Sequence, residues 1–418
     1  MRTSGAIVAA FATALVLGGC SPSGRDAAGG GAGARQPPAE SAAPAPVASP
    51  ARDTARDTAG DGKIADVAVG QEHSCALTTG GSAFCWGSNE ARQLGSGNDS
   101  STLAPVPVAG THHFIAISAG AGYTCALDER GAAWCWGTGE RGQLGTGRPS
   151  DSSRVPVAVQ TARRFAAISS SVSHSCAVER TGAVWCWGAN ESGQLGAATP
   201  ALSALPVSVD GHSFRDVAAG PSFTCATTVD GGVDCWGVGT PNAGSAGPLP
   251  IPGLHEIVAV SAGANVTCAI DSSGAGWCWG ANDFGQLGAG RLDRRDAPVR
   301  APLRIATDAP LVHISVGDGR SCAIAAGGAL FCWGINDNHV LGANTTEGCP
   351  VEGRVIPCAP QPVNVAPALR FARIAVSQYH SCGATIDGRL YCWGTSMNGN
   401  LGSGDDSDVA EPREVRLP

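Results

Sequence analysis

Fourteen of the cysteines in this chain form seven pairs with the same spacing. Paired cysteines can form a disulfide, bind a metal ion or stay as buried thiols. In the first pair Cys85 follows Cys75 by ten positions, Gly81 lies between them, and Trp86-Gly87 comes directly after. The other copies repeat this spacing, this glycine and the Trp-Gly dipeptide. They contain Cys125 and Cys135, Cys176 and Cys186, Cys225 and Cys235, Cys268 and Cys278, Cys322 and Cys332, and Cys382 and Cys392. Such repetition predicts a repeat architecture.

The spacing between paired cysteines fits an antiparallel β-hairpin. A three-residue loop at 79–81 would end on Gly81, the position where a positive φ favours glycine. Thr78 then pairs with Ser82, and Cys75 pairs with Cys85. Counting outward from the loop, the cysteines form a non-hydrogen-bonded pair with Cα atoms about 4.5 Å apart, inside the usual disulfide range of about 4.4 to 6.8 Å. We therefore predict seven disulfides within hairpins, with free thiols and zinc binding as the alternatives.

Histidines two positions before a cysteine raise the question of a metal site. His73, His174 and His380 occupy this position in three copies. The other residues at this position include Tyr123, Phe223 and Arg320. Zinc needs about four converging ligands, whereas the repeat places these histidines in separate hairpins. We predict that they pack between repeats, and we expect no metal and no cofactor.

The sequence around each hairpin predicts four short strands per repeat. An alternating apolar stretch such as 114–120 comes first, and the two arms of the cysteine hairpin follow. A Gly-Gln-Leu-Gly turn, as at 142–145, and a short Pro-Val segment, as at 156–159, complete the unit. Four strands at a period of 43 to 60 residues indicate propeller blades. The predicted fold class is all-β, a seven-bladed β-propeller of four-stranded antiparallel blades over residues 63–418.

Two repeats depart from this pattern. The fourth lacks the Gln-Leu-Gly turn at 237–247, and Asp234 replaces an aromatic residue. The sixth carries an insertion at 344–360 that contains two further cysteines, Cys349 and Cys358, which we predict to pair with each other.

Composition narrows the class of protein. The 418 residues include 59 Gly and 27 Pro, which argues against an all-helical fold, while 43% hydrophobic residues can form a large core. The net charge of −8 does not give the basic surface that nucleic-acid binding requires. We expect no nucleic-acid partner and a monomeric domain.

The N-terminal segment predicts export. Arg2 precedes an apolar stretch at 6–17 that is too short to span a membrane. We therefore interpret residues 1–20 as a signal peptide. Residues 21–62 are rich in Ala, Gly, Pro and Ser, a composition that predicts a disordered linker. The run Leu-Gly-Gly-Cys that ends at Cys20 resembles a bacterial lipoprotein cleavage box. That resemblance implies an acylated Cys20 and a membrane-anchored protein of the cell envelope. An ordinary signal peptide with an incidental cysteine is the alternative.

Together, His-Ser-Cys-Ala, Cys-Trp-Gly and Gly-Gln-Leu-Gly resemble the signature of the regulator of chromosome condensation family, in the cysteine-rich form of exported bacterial proteins. The resemblance covers residues 64–418 and implies a seven-bladed propeller. Members of that family include a nuclear exchange factor for a small GTPase, a plant light receptor and a secreted bacterial inhibitor of β-lactamases. One fold serves many functions, so the resemblance alone does not assign one.

The sequence predicts a binding protein rather than an enzyme. A dinucleotide-type glycine pattern at 137–142 is not followed by a helix that could hold a pyrophosphate. No motif combines a nucleophile, a base and an oxyanion donor.

We expect a scaffold that binds an unidentified macromolecule through its loops. The candidate loop is the insertion, with Glu347, Glu352 and Arg354. The alternatives are an inhibitor or regulator of an exported enzyme, an exchange-factor-like regulator, and a braced insertion that binds no ligand. Other candidates are the turn residues Arg92, Arg141 and Glu191.

The two ends of the repeat region suggest how the ring closes. The chain ends in a Pro-Val-type segment with no hairpin after it, and the first repeat has no such segment before it. We predict that residues 412–417 join the sheet of residues 64–87, since an unpaired edge strand exposes backbone donors and acceptors.

Overall fold

The computed structural model describes residues 62–197, 200–239, 245–294, 298–345, 347–351 and 353–418. These residues form seven antiparallel sheets, the blades of a β-propeller, which confirms the predicted fold class. The predicted signal peptide, Cys20 and nearly all of the linker lie outside the described residues, as does Glu352. In the described part of the chain, no helix is long and apolar enough to cross a bilayer.

Each blade contains four strands that pair in chain order, with the first strand innermost at the central channel. Blades 1 to 4 consist of Ile64–Val69, His73–Thr78, Ala83–Gly87 and Thr102–Pro107; Phe114–Ala119, Tyr123–Asp128, Ala133–Gly137 and Ser153–Ala158; Phe165–Ser170, His174–Glu179, Val184–Ala189 and Leu202–Val209; and Phe214–Ala219, Phe223–Thr228, Val233–Gly237 and Ser245–Pro250. Blades 5 to 7 consist of Ile257–Ala262, Val266–Asp271, Gly276–Gly280 and Val299–Arg304; Leu311–Val316, Arg320–Ala325, Leu330–Ile335 and Arg354–Val365; and Phe371–Val376, His380–Thr385, Leu390–Gly394 and Val409–Val415.

Blade 6 has a fifth strand. Glu347–Val351 pairs with the first half of Arg354–Val365, whose second half is the fourth strand of the blade. We call this pair of strands, residues 347–358, the blade 6 hairpin. A short 3-10 helix, Asp337–His339, precedes it.

The central hairpins have the predicted register. Cys75 lies opposite Cys85, and Ala76 lies opposite Phe84. The Thr78 amide donates to the Ser82 carbonyl over 2.9 Å, which closes a three-residue loop. The loop glycines of all seven copies have φ between 76° and 90°. A left-handed conformation disfavours residues with a Cβ, so the glycine repeats because the loop geometry repeats.

The hydrophobic core lies between the blades rather than inside any one of them. One cluster combines Cys75, Cys85 and Leu94 of blade 1 with Phe114 and Trp136 of blade 2. The tryptophan after each second cysteine is at most 1% exposed. The seven are Trp86, Trp136, Trp187, Trp236, Trp279, Trp333 and Trp393. Aromatic side chains supply large buried area, so these residues join each blade to its neighbour.

The innermost strands surround a central cavity of about 260 Å³. Serine side chains on these strands connect neighbouring blades, because each hydroxyl oxygen accepts a hydrogen bond from a backbone amide of the next blade. Ser118 accepts from Ser170 over 2.8 Å, and Ser315 accepts from Val376 over 3.0 Å. These bonds satisfy edge amides that would otherwise face the cavity.

The prediction that residues 412–417 join the first sheet is wrong. The last strand, Val409–Val415, pairs with Leu390–Gly394 in blade 7. Blade 1 contains its own fourth strand, Thr102–Pro107. When a repeat is taken to begin at its innermost strand, its four blade strands follow one another in the chain. The first and last blades therefore each have all four strands.

The ring closes through packing and loop contacts instead. Val415 of blade 7 lies in one core cluster with Ile64 and Trp86 of blade 1. The Ile64 amide donates to the Gly388 carbonyl over 2.9 Å. The interface between blades 7 and 1 therefore uses the same kind of contacts as the interfaces between blades that are adjacent in sequence.

Candidate functional site

The cysteines pair within hairpins as the spacing predicts. In the seven central hairpins the sulfur atoms are bonded and the Cα atoms lie 4.0 to 4.1 Å apart. Cys349 and Cys358 form an eighth disulfide, with Cα atoms 5.8 Å apart. All sixteen described cysteines are at most 1% exposed. Among the described residues there is no group of three or more His, Cys, Asp or Glu residues able to hold a metal ion.

A repeated hydrogen-bond network connects each blade to the next. We call each interface between neighbouring blades a seam. In the seam between blades 1 and 2, the Trp136 indole N–H and the Thr124 hydroxyl both donate to the Gln93 carbonyl, each over 2.9 Å. His73 Nε2 lies 2.9 Å from Thr124 Oγ1. Because the hydroxyl proton goes to Gln93, His73 Nε2 must be the donor to Thr124.

The same network recurs in two other seams. Between blades 3 and 4, Trp236 and Thr224 donate to the Gln194 carbonyl, and His174 contacts Thr224. Between blades 7 and 1, the corresponding residues are Trp86, Ser74, Asn400 and His380. The Gln-Leu-Gly turn is thus a structural element. The backbone carbonyl of its glutamine, or of Asn400 in blade 7, accepts hydrogen bonds from side chains of the following blade.

Burial keeps these histidines neutral. The pKa values of His73, His174 and His380 are lowered to about 3, chiefly because burial disfavours the charged imidazole. Charges on Arg320 and His73 contribute further to the lowered pKa of His380. The histidines that first suggested a metal therefore act as hydrogen-bond donors between blades.

The seam between blades 6 and 7 differs. Arg320 takes the place of the histidine, and its side chain is fully buried. Its Nε, Nη1 and Nη2 atoms have no hydrogen-bond partner among the described residues, and neither do Ser381 Oγ and Trp393 Nε1. The repeat pattern placed Arg320 at this position, but sequence reasoning did not predict that the guanidinium is buried without a hydrogen-bond partner among the described residues.

Charged residues also occupy the third position of several innermost strands. Asp66 and Arg373 lie 4.0 Å apart across the seam between blades 7 and 1. His313 lines the central cavity, and burial lowers its pKa to about 4. Burial raises the pKa of Asp216 to about 6. Asp216 and Arg373 lie on separate blades, 4 and 7.

The turn residues proposed as binding candidates form ion pairs on the ring. Arg141 of blade 2 forms an ion pair with Glu191 of blade 3, and Arg92 pairs with Asp99 over 3.2 Å. Exposed ion pairs contribute little stability, and their charges are partly satisfied within the ring. These side chains therefore offer a less open surface than the sequence suggested.

The blade 6 hairpin extends its sheet beyond the four strands of the other blades and carries exposed side chains. Val355 is 74% exposed, the highest value among the exposed large hydrophobic side chains of the described residues. The predicted candidates Glu347 and Arg354 are also exposed, with Arg354 next to Val355 in the chain and Glu347 opposite Cys358 at the other end of the strand pair. The Cys349–Cys358 disulfide links the two strands.

The base of this hairpin is fixed against blade 5. The Gly290 amide donates to the Pro360 carbonyl over 3.0 Å, and Pro360 packs so closely on Gly285 that an added Cβ there would lie 2.4 Å from its Cα. Only glycine tolerates that approach. The hairpin therefore presents an apolar side chain and charged neighbours on a braced support.

Seven four-stranded blades with a repeated tryptophan-to-turn contact define a repeat β-propeller. The family model described as "Regulator of chromosome condensation (RCC1) repeat" matches residues 80–127, 130–178, 181–227, 273–324, 327–384 and 387–418. A second model with that description matches 64–93, 114–143, 165–194, 257–286, 311–339 and 371–400. The chain belongs to the RCC1 repeat family. Neither model matches the second arm of the blade 4 hairpin, Val233–Gly237, in the repeat that departs most in sequence.

Known relatives support the same assignment. The Ultraviolet-B receptor UVR8 of Arabidopsis thaliana is 29% identical over 369 residues, which are 84% of this chain and 82% of that protein. The E3 ubiquitin-protein ligase HERC2 of Homo sapiens is 29% identical over 133 residues, or 32% of this chain, and the match spans 2% of HERC2. The structure of Prp20p from Saccharomyces cerevisiae superposes with a TM-score of 0.71 at 22% identity, covering 83% of this chain and 86% of that one. This likeness concerns the fold alone.

Proposed function

We propose that this protein is an exported, lipid-anchored scaffold that binds another protein through the blade 6 hairpin. The observation that carries the proposal is the braced, exposed hairpin on an otherwise regular ring. A rigid surface loses little conformational entropy on binding, which favours recognition. Val355 would supply apolar contact area, and Glu347 and Arg354 would orient a partner with complementary charges.

Relatives make a protein partner reasonable. Solved structures of similar fold include Prp20p, studied for its binding to Gsp1p and histones, and yeast RCC1 (Prp20) bound to Kap60. The present chain need not share those partners. An exported partner fits its predicted location, and the eight disulfides suit an oxidising compartment. We propose no catalytic activity of its own and a monomeric propeller.

Site-specific photo-crosslinking tests the binding site. A photoreactive residue at position 355 should trap one partner in cells that produce the protein. The matched control is position 312, because Val312 is also an exposed valine, at 61%. An identical product from both positions, or no product from either, would contradict the proposal. If the trapped partner is an exported enzyme, assaying it with and without the propeller separates a regulator from a passive scaffold.

The proposed anchor has its own test. Substituting Cys20→Ser should move the protein from the membrane to the soluble exported fraction, because the acylated thiol would be lost. Fractionation followed by immunoblotting measures the change. Unaltered membrane association would show that a lipid on Cys20 does not hold the protein there.

A further inference from the structure

The seam between blades 6 and 7 contains a buried positive charge, a guanidinium that donates no hydrogen bond to the described residues. Arg320 is 0% exposed, and three guanidinium nitrogens have no hydrogen-bond partner among the described residues. A guanidinium remains protonated in proteins and offers five N–H donors but no acceptor. Burying such a group without a counter-charge is strongly unfavourable. The seam therefore needs an acceptor.

The repeat shows which groups surround this guanidinium. In the seam between blades 1 and 2, the side chain at the corresponding position, His73, meets the Thr124 hydroxyl, and that hydroxyl shares the Gln93 carbonyl with the Trp136 indole. The seams between blades 3 and 4 and between blades 7 and 1 repeat this convergence. In each of these three seams two donors thus meet at the turn carbonyl, and the histidine donates to one of them.

In the seam between blades 6 and 7 the corresponding groups are Arg320, the Ser381 hydroxyl and the Trp393 indole N–H. The hydroxyl and the indole are also buried and without a partner among the described residues. The turn position equivalent to Gln93 is Val340, yet neither donor reaches a carbonyl there. Donors accumulate at this point, while the hydroxyl and the indole leave the Val340 carbonyl unengaged, although its counterpart joins the three seams described above.

We propose that this seam binds one small monovalent anion, of the size of chloride, held by the Arg320 guanidinium, the Ser381 hydroxyl and the Trp393 indole N–H. A single negative charge matches the single guanidinium. The site is closed to solvent, so the ion must be small enough to lie between two packed sheets. Charge-assisted hydrogen bonds of this kind are the strong ones. The anion replaces the turn carbonyl and holds blade 7 against blade 6.

Asp318 is the competing counter-charge. It lies two residues before Arg320, and its charge favours the protonated guanidinium. Asp318 is half-buried. Burial and, to a smaller extent, the charge of Asp283 raise the pKa of Asp318 and so disfavour its carboxylate form, while the Arg320 charge acts in the opposite direction. The anion hypothesis and an Asp318–Arg320 pair make different predictions.

Thermal unfolding of the purified full-length protein in sodium chloride and in sodium gluconate at equal ionic strength tests the proposal. A ligand that binds only the folded state stabilises it in proportion to the logarithm of its concentration. The melting temperature should rise with chloride but not with gluconate, by about 3 °C or more at saturation. Arg320→His should abolish the chloride response, because a neutral histidine can donate to Ser381 as in the other seams.

Arg130→His is the matched control, since Arg130 is exposed, and it should retain the full chloride response. Should Arg320→His not fold, crystals of the unsubstituted protein soaked in sodium bromide decide the matter, with one anomalous peak expected beside Arg320. Equal melting temperatures in chloride and gluconate, with no bromide peak there, would overturn the proposal. Loss of stability in Asp318→Asn without any chloride response would assign the counter-charge to Asp318 instead.

Discussion

The histidines of the seams show how one residue can stabilise a repeat without a functional site. His73, His174 and His380 each donate from Nε2 to a hydroxyl of the next blade. The neutral imidazole can donate this bond. Burial keeps the imidazole neutral by lowering its pKa to about 3. Stability should consequently depend on pH.

The expected direction follows from proton binding. In the unfolded chain a histidine titrates near pH 6.5, so the unfolded state takes up protons first as the pH falls. His73, His174 and His380 make their full contribution to the free energy of unfolding above pH 6.5. As the pH falls from 6.5 toward 3, each histidine's contribution decreases by about 1.4 kcal/mol per pH unit. His313 acts in the same direction, with its pKa lowered to about 4. Asp216, whose pKa is raised to about 6, opposes this loss between pH 6 and 3.8.

Urea unfolding at pH 7.5 and pH 5.0 measures the net effect. The free energy of unfolding should be lower at pH 5.0, and His174→Gln should reduce the difference between the two pH values because one titrating group is removed. Equal stability at both pH values in the parent protein would show that the histidines do not titrate as their burial implies.

At the scale of the element, the central hairpin was predictable and the blade 6 hairpin was not. A spacing of ten residues, with glycine at a fixed loop position, allows one register, and the structure adopts it with Cys75 opposite Cys85. The insertion at 344–360 has two cysteines but no repeated counterpart, so its strand pairing could not be read from spacing. Pro360, at its base, packs against Gly285 of blade 5, a contact distant in sequence.

Each central disulfide should stabilise its blade. Replacing Cys125 and Cys135 by alanine should lower the free energy of unfolding by about 2 to 3 kcal/mol, because closing a short loop restricts the unfolded chain. Replacing Cys349 and Cys358 should have a smaller effect on unfolding of the ring, since the blade 6 hairpin lies outside the four-stranded blade. Denaturant titration compares the two variants. Peptide mapping without reduction should recover each pair within one hairpin, and bridges between blades would contradict the assignment.

For the whole molecule, the seven-fold ring was predictable but its closure was not. The number of blades follows from the number of cysteine pairs. How the ring closes depends on which strand begins each blade, and the sequence pattern does not show this. The sequence pattern allowed a shared sheet, and the structure instead completes every sheet within its own unit. The repeat pattern identified the position of Arg320, but the lack of a hydrogen-bond partner for its buried guanidinium among the described residues could be seen only with the two blades together.

The last strand should be essential to the ring although it does not pair with blade 1. Deleting residues 409–418 removes an outer strand of blade 7 together with Val415, which is 5% exposed and packs with Ile64 and Trp86. The melting temperature should fall, and the protein should associate as an edge strand is exposed. Calorimetry and light scattering measure both effects. A truncated protein that stays monomeric and equally stable would show that packing by Val415 is dispensable.

Complete blades joined only by side-chain and loop contacts make the starting point of the chain arbitrary. Ile64 and Val415 share one core cluster, so the two ends of the ring lie side by side. Linking them and opening the chain between any two blades would leave every strand with its partners. The molecule is therefore suited to circular permutation by whole blades. In such permutants the blade 6 hairpin could be placed near either terminus while its surroundings in the ring stay the same.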